Sequence, residues 1–552
     1  MENSEFDTII IGSGAGGLTA AICLAKAGQK VLVLEQHYVP GGWCHSFHLN
    51  GQRFSPGVHY IGLLDEGQST SNLYKALGIA NELVFFRMNP KAYEHCLVGN
   101  QKIDMPAGID ALYESLAKRF PAEKKGLKKY LSTVEKVSQQ VQLIPKMKGF
   151  MDHLTIPFRT KDMGKYGLFS LKRVIDWHIK DPLLKSILNV QCGDHGLPPS
   201  KASFPVHCVV MFHYFSGAFY PMGGGAGIVK AMTNALKKNG GEVRVKQSVK
   251  KILLENKKAI GVELKDGQKI FAKNIVSNTD PTATFFNLVG KENISNNLIK
   301  KLNKTKYSVT SLILFLTLDM DLKSAGLDSG NIWYLKTDDL EKIYNELKGT
   351  DIGAGEEFPG VFISCPTLKD PVSFNGRYHT LEVVTFIDNE SFDKFEKGTD
   401  YHSDAYTAQK EIIKQKFLNT VEKIIPGAKK HLVHAELGTP STNKYYIQST
   451  KGNVYGTEKN LMQVGPFSFN TKSEIENLFL CGASTISHGV GGAAYSGVEA
   501  ASKILQMSQD EILKPQENQK LRIYEAEDSS TWPDFVHQKI EDKKRRFKEV
   551  TL

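Results

Sequence analysis

Three glycines and one carboxylate near the N-terminus have the spacing of a phosphate-binding turn. Gly12, Gly14 and Gly17 stand in Ile11-Gly-Ser-Gly-Ala-Gly-Gly17, with Ser13, Ala15 and Gly16 between them, and Glu35-Gln36 follows downstream. In such a turn the first glycine permits the tight bend, the second lets backbone approach a pyrophosphate, and the third lets a helix pack closely on a strand. The phosphates face a helix N-terminus, where unpaired amides and the positive end of the dipole stabilise negative charge. Glu35 is placed to accept both hydroxyls of an adenosine ribose. The elements that must position these groups are legible around them. Phe6-Asp-Thr-Ile-Ile-Ile11 reads as a strand, the glycines open a helical stretch, and Lys30-Val-Leu-Val-Leu-Glu35 reads as a second strand. The unit is the start of an α/β, Rossmann-type dinucleotide domain.

Further glycine-rich strings follow. Gln36-His-Tyr-Val-Pro-Gly41-Gly42-Trp43-Cys-His45-Ser46-Phe47 leads through an Asn50-Gly51 hairpin turn to Phe54-Ser-Pro-Gly57-Val58-His59-Tyr60-Ile-Gly62. Tyr220-Pro-Met-Gly-Gly-Gly225 precedes a helix over Ile228 to Lys238, and a strand reaches Val249. Near the C-terminus Asn477-Leu-Phe-Leu-Cys-Gly482-Ala483-Ser484 precedes Ser487-His488-Gly489-Val490-Gly491-Gly492-Ala493. Ala493, Ala494, Gly497, Ala500 and Ala501 then recur at helical spacing. The small stripe by itself means tight packing. The glycines before it place bare amides at a helix N-terminus, where they could stabilise charge.

Taken together, these strings resemble the flavin amine oxidase and phytoene desaturase superfamily. Within it the chain is most similar to the retinol saturase and carotenoid isomerase branch, whose members carry similar Gly-Gly, Cys-His-Thr/Ser-Phe and Gly-x-His-Tyr-Ile-Gly strings. The resemblance implies FAD, held by Gly12, Ser13, Gly14, Ala15, Gly16, Gly17, Glu35, Gln36, Gly41, Gly42, Trp43, His45, Ser46, Gly57, Val58, Val249, Gly482, Ala483, Val490, Gly491, Gly492 and Ala493. It also implies an FAD domain assembled from residues 1–75, 220–290 and 455–508. Residues 76–219 and 291–454 are left for an α+β substrate domain with a mixed or antiparallel sheet and a helical, membrane-associating part, and 509–552 for a polar or amphipathic tail. Two departures stand out. Many phytoene desaturases and amine oxidases have Arg after the Gly-Gly pair, where this chain has Trp43, and Asp before the next glycine, where it has Ser55-Pro56. The first leaves phosphate without its usual cation and moves the likeness toward the saturase branch.

Composition sets outer bounds. The 552 residues, 41% hydrophobic and 23% charged, are those of a globular chain with room for a sizeable core. Seven scattered cysteines without a C-x-x-C pair signal neither a disulfide framework nor a zinc site, so no metal is expected. The start Met-Glu-Asn-Ser-Glu lacks a signal peptide's regions, and no run of eighteen apolar residues occurs, giving an expectation of a cytoplasmic protein. A net charge of +10 is modest for this length, and no motif supports nucleic-acid binding. From Ile144 to Leu188 nine Lys or Arg face four aspartates, interleaved with Phe150, Met151, Phe158, Tyr166, Phe169 and Trp177. Two readings stay open there: contact with anionic lipid on the inner face of a membrane, or a solvated helical face. The charge-free stretch Ala202 to Val229 reads as buried core, with a tunnel lining as the alternative. Ser308 to Leu318 and Thr380 to Asp388 read as antiparallel strands. Beyond Ile512, Trp532, Phe535, Val536, Ile540 and Phe547 sit in a charged background, where a solvated surface helix is favoured over a docking or membrane-surface one.

A flavin accepts or donates hydride. A conjugated polyene makes a carbon a usable partner, because an allylic cation is delocalised and aromatic walls stabilise it. Residues that could handle the proton are His59, Tyr60, His488 and His213, with His207 and Tyr214 behind them. The expected activity is FAD-dependent saturation, desaturation or isomerisation of carbon-carbon double bonds in an apolar polyene or other unsaturated lipid. Only one dinucleotide fingerprint is visible, so the electron donor or acceptor is unidentified. A flavin amine oxidase and a non-catalytic flavin-bearing lipid-binding protein are the alternatives.

Overall fold

The computed structural model describes residues 4–144, 155, 156, 158–349, 351–395 and 403–551. Its first sheet grows from Phe6–Ile11, which pairs in parallel with Val31–Leu34 on one side and Lys269–Ser277 on the other. Glu242–Arg244 extends the parallel array beyond Val31–Leu34, and Leu478–Leu480 joins it beside Lys269–Ser277. Val249–Glu255 and Lys258–Leu264 add an antiparallel ribbon to the start of Lys269–Ser277. The apolar run Ile9-Ile10-Ile11 is what a parallel strand covered on both faces requires. Ile10, Val33 and Val276 turn to the helices Ala15–Lys26, Gly225–Lys238 and Gly489–Leu505. Ile9, Leu32 and Ile275 turn the other way, toward Phe285, Val289 and Leu302.

The two outer helices cross at touching distance. A Cβ on Gly497 would lie 2.1 Å from the Gly16 carbonyl oxygen, and one on Gly17 would lie 2.1 Å from that of Gly12. Glycine at these points is therefore a packing requirement.

The second sheet has the order Leu432–Gly438, Thr310–Leu318, His379–Ile387, Gly360–Ser364, Asn331–Leu335, Glu94–Val98, Gln101–Met105. It is mixed: only Asn331–Leu335 and Glu94–Val98 run parallel. Thr310 to Leu318 pairs residue for residue with Ile387 to His379, so the two strands read in the sequence are direct antiparallel neighbours. Alternation sorts their side chains. Leu312, Leu314 and Leu316 pack on Ile413, Phe417 and Val421 of the helix Asp404–Ile424. Ile313, Phe315, Trp333, Phe362 and Val384 face the opposite way, into the body of the protein.

The amphipathic helices Ile109–Arg119 and Lys124–Leu143 bury Leu112 and Leu116, and Leu127, Leu131 and Val134. The charge-free stretch is core: Phe204, Cys208 and Met211 lie buried on the helix Phe204–His213, which packs on Lys124–Leu143, and none lines the cavity described below. In the basic stretch, Lys146, Lys148, Phe150 and Met151 lie outside the described residues. The rest carries the short helices Lys161–Tyr166, Leu171–Asp176 and Pro182–Leu188. Phe158 and Leu168 there are 81% and 78% exposed, far more than apolar side chains of a monomer's core. Among the described residues no helix is long and apolar enough to cross a membrane. All seven cysteines are free and buried.

The expectation for the tail needs correction. Arg522–Glu525 pairs in parallel with Val84–Arg87, which pairs in turn with Phe219–Pro221. The helix Asp534–Thr551 buries Val536 and Ile540 against Val84 and Phe86, and the Phe547 ring meets Tyr378 at 5.3 Å. Val536 and Ile540 are four residues apart and Phe547 two turns further, one apolar stripe that the surrounding charges hide from a composition reading. Val536→Ala should lower stability by about 2 kcal/mol through lost burial and a cavity. Urea unfolding measures it, and a helix that merely trailed in solvent would give no change.

Candidate active site

A cavity of about 440 Å³ opens at the carboxyl ends of the first sheet's strands and runs to the second sheet. Its first end is made of main chain. Gly12, at φ 92°, turns out of its strand and gives its amide to the Leu34 carbonyl at 2.8 Å. The helix Ala15–Lys26 then begins on Gly14 without a side-chain cap. Across the gap, Gly41 and Gly42 both have positive φ, and a Cβ on Gly42 would lie 3.2 Å from Gly14 Cα. A Cβ on Gly16 would lie 2.8 Å from the Ala493 carbonyl and 3.0 Å from the Gly482 amide. The helix Gly489–Leu505, also without a side-chain cap, begins at the same place. Two helix N-termini therefore direct amides into one glycine-walled slot. Among the described residues no lysine or arginine lines it, so an anion there is held by amides and dipoles alone. That donor set fits the pyrophosphate of a dinucleotide, and it accommodates Trp43 where a cation is commonly found.

Glu35 is fixed at the end of its strand. Its Oε2 accepts the Ser13 amide at 3.0 Å and the Ser13 hydroxyl at 2.5 Å, and Oε1 accepts the His37 amide at 2.9 Å. Oε2 is thereby filled, and Oε1 keeps a lone pair for a further donor. Gln36, His45, Gly57, Val249, Ala483 and Val490 line the same cavity with the glycines already named. Five expected contacts do not. Gly17 is used in helix packing, and Val58 is in the core. The Ser46 hydroxyl accepts the Ala226 amide at 3.1 Å, which spends it on the start of another helix. Gly491 and Gly492 are not among the cavity's lining residues, and Gly492 lies against Ser487.

The second end is apolar and aromatic. Ile313, Trp333, Phe362, Val384 and Phe386 reach it from the second sheet, joined by Tyr455. His59 and Tyr60 stand at the junction, and each is tied to a buried carboxyl. His59 Nδ1 contacts Glu382 Oε2 at 2.8 Å, while Glu382 Oε1 accepts the Ser55 amide at 2.6 Å. Beside them the buried Lys369 ammonium donates to the His59 carbonyl at 2.9 Å, to Ser364 Oγ at 2.7 Å and to Asn331 Oδ1. Burial pushes Lys369 down to about 7, against the pull of Glu382.

The Tyr60 hydroxyl lies between two carboxyls, 2.8 Å from Glu94 Oε1 and 2.7 Å from Asp194 Oδ2. Glu94 also accepts Trp333 Nε1 at 3.0 Å and Gln191 Nε2 at 3.3 Å. Burial pushes Glu94 up to about 7 in spite of these donors. Burial, and then the neighbouring Glu94 charge, raise Asp194 well above the usual carboxylate range. The Tyr60 ring is stacked on Tyr214 at 4.2 Å.

The remaining histidines have structural partners. His488 Nε2 holds the Asp194 carbonyl at 2.8 Å from outside the cavity, and burial pushes its pKa down to about 3. His213 Nε2 accepts the Gly62 amide at 2.8 Å, also away from the cavity, which corrects the expectation that it handles a proton there. His207 bonds to His195 at 3.3 Å and to the Leu188 carbonyl at 3.2 Å, so the buried Cys192, His195 and His207 group engages its own rings. Glu94, Asp194, Glu382 and Lys369 escaped the sequence reading, since each meets His59 or Tyr60 from a distant segment. The available signal was a charge inside an apolar strand, as in Thr380-Leu-Glu382-Val-Val.

Comparison with known proteins agrees with this construction. Residues 15–288 match the family described as flavin containing amine oxidoreductase. The chain is 29% identical over 525 residues to the all-trans-retinol 13,14-reductase of Danio rerio, covering 91% of this chain and 86% of that protein. It is 28% identical over 528 residues to the chloroplastic prolycopene isomerase of Daucus carota, covering 91% and 80%. Among solved structures, cyclohexylamine oxidase from Brevibacterium oxydans shares the fold, with a TM-score of 0.57 at 15% identity over 91% of this chain and 99% of that one. The resemblance drawn from the glycine strings is thus borne out, and with it a flavin cofactor. Gly14 has an ordinary φ of −61°, and a Cβ there would meet only the side chain of Asn278, its Nδ2 at 2.7 Å, so Gly14→Val should fold with Asn278 displaced and its side chain intruding on the slot. Flavin retention should weaken at least about tenfold, or about 1.4 kcal/mol, read as visible absorbance per protein after gel filtration. Unchanged flavin content would place the phosphates elsewhere.

Proposed function

We propose that this chain, a flavin-containing oxidoreductase of the amine oxidoreductase fold, binds FAD and acts on carbon-carbon double bonds of a long apolar polyene. The observation that carries the reading is one continuous cavity whose glycine-walled slot meets an apolar wall of Trp333, Phe362, Phe386 and Tyr455. Glu35, at the end of the second strand, supports the adenosine half of FAD in particular. A bound flavin supplies hydride transfer. The chain's part is to exclude water, hold an extended hydrocarbon against aromatic faces that stabilise a delocalised cation, and manage the proton. His59 Nδ1, bonded to Glu382, fixes one tautomer and leaves Nε2 as the ring's acceptor.

An amine substrate is disfavoured by the same cavity. A cationic amine needs an ionised partner, whereas Asp194, the carboxyl beside Tyr60 that lines the cavity, is held toward its neutral form by burial. Relatives named for all-trans-retinol reduction and for prolycopene isomerisation support two test substrates. The exposed Phe158 and Leu168 near Arg159, Lys161 and Arg173 support peripheral contact with anionic lipid, a source of water-insoluble substrate.

Flavin-loaded protein, reduced under anaerobic conditions, should convert all-trans-retinol or prolycopene. A product heavier by two hydrogens identifies saturation; unchanged mass with altered retention identifies isomerisation. Conversion of neither, together with peroxide release from amines, would replace this reading with amine oxidation.

A further inference from the structure

We propose that Asp194 is the general acid of this site, its proton held through the Tyr60 hydroxyl against a negative charge that resides on Glu94. The inference rests on the polyene reading above and joins to Tyr60 two carboxyls, Asp194 and Glu94, that no motif marked.

The geometry allows little else. The Tyr60 oxygen lies 2.7 and 2.8 Å from oxygens of two carboxyls, yet a phenol carries one hydrogen. One contact therefore needs a proton from the carboxyl side. The surroundings decide which. Glu94 is fully buried and accepts from three donors, Tyr60, Trp333 and Gln191, a set that suits an anion. Asp194 has Tyr60 as its one side-chain partner among the described hydrogen bonds, while its carbonyl holds His488. The proton thus sits on Asp194, which donates to Tyr60, which donates to Glu94. Asp194 and Tyr60 line the cavity and Glu94 does not, so the acid faces substrate and the anion lies behind it.

The step balances within the array and the polyene. The Asp194 O–H bond breaks, the π electron pair of one double bond forms a C–H bond with that proton, and the positive charge spreads over the remaining conjugated bonds. Trp333 and Phe362 present aromatic faces at that end of the cavity. The Tyr60 hydrogen then turns from Glu94 to the negative charge left on Asp194, while Glu94 keeps the Trp333 and Gln191 donors. Return of a neighbouring C–H proton to Asp194 regenerates both the acid and a double bond, with no net redox change. Saturation requires a hydride equivalent in addition, from the flavin class of reductant already named. Tyr60 and Glu94 act through Asp194 and are positioning residues.

The test uses flavin-loaded full-length protein in heavy water with whichever polyene the wild type converts. Wild type should place solvent deuterium on a polyene carbon. Asp194→Asn should lower turnover and label together by about 10²- to 10⁴-fold, the usual range for a lost general acid, with flavin content and visible spectrum unchanged. Turnover within about threefold of wild type would overturn the assignment. Infrared absorption decides the shared proton without any substrate. At mildly alkaline pH wild type should show a protonated-carboxyl band that shifts in heavy water, persists in Glu94→Gln and disappears in Asp194→Asn. A wild-type protein without that band overturns the inference even if the substitution fails to fold. If wild type converts no polyene, the substrate reading fails, while the infrared result still reports on Asp194.

Discussion

The structure depends on main chain meeting main chain. The Gly16 carbonyl lies where a Cβ of Gly497 would stand, the Gly12 carbonyl where one of Gly17 would stand, and Gly14 faces Gly42 across the slot. These approaches bring the N-termini of two helices, formed hundreds of residues apart in the chain, to one point. Because the slot is lined by amides instead of cations, its attraction for an anion is set by backbone position. A lysine can reorient when its surroundings shift, whereas an amide moves only with its helix. The helix crossing and the cofactor slot are one construction.

The segment Ser55 to Gly62 performs the corresponding task between the two sheets. Ser55 and His59 bond to Glu382, Tyr60 to Glu94 and Asp194, and Gly62 to His213. Four residues of one short stretch thereby reach the second sheet and the helical layer. Glu382 and Lys369 are buried beside each other with hydrogen-bond partners at hand, which keeps two charges tolerable in an apolar interior. The arrangement fixes the apolar wall relative to the glycine slot, so a substrate held by one presents a defined carbon to the other.

What was legible in the sequence follows from the range of the interactions. The Gly12 to Gly17 turn, Glu35, the Gly41-Gly42 pair and the C-terminal glycines announce themselves because each performs its role through local backbone geometry. The strands Thr310–Leu318 and His379–Ile387 were equally plain, being long, apolar and β-branched. The acids were not. Glu94 and Asp194 meet Tyr60 only after three separate elements pack, and nothing periodic links them. His213 and His488 illustrate the opposite error: one stands in an aromatic stretch and the other in a glycine-rich motif, but in each a ring nitrogen is already engaged by a main-chain group. The tail helix was misjudged for a third reason, since its single apolar stripe is thinned by lysines and arginines along the same turns.

The strand order also dictates when the protein can become whole. Phe6–Ile11 is made some 260 residues before its neighbour Lys269–Ser277, and Leu478–Leu480 follows about 200 residues after that. At about 5–20 residues per second, the first strand waits tens of seconds with one edge open. Long-range parallel pairing of this kind is slow and exposes strand edges to other chains. For this polypeptide, guarding the nascent edge during synthesis is therefore as much a condition of activity as the geometry of the finished cavity.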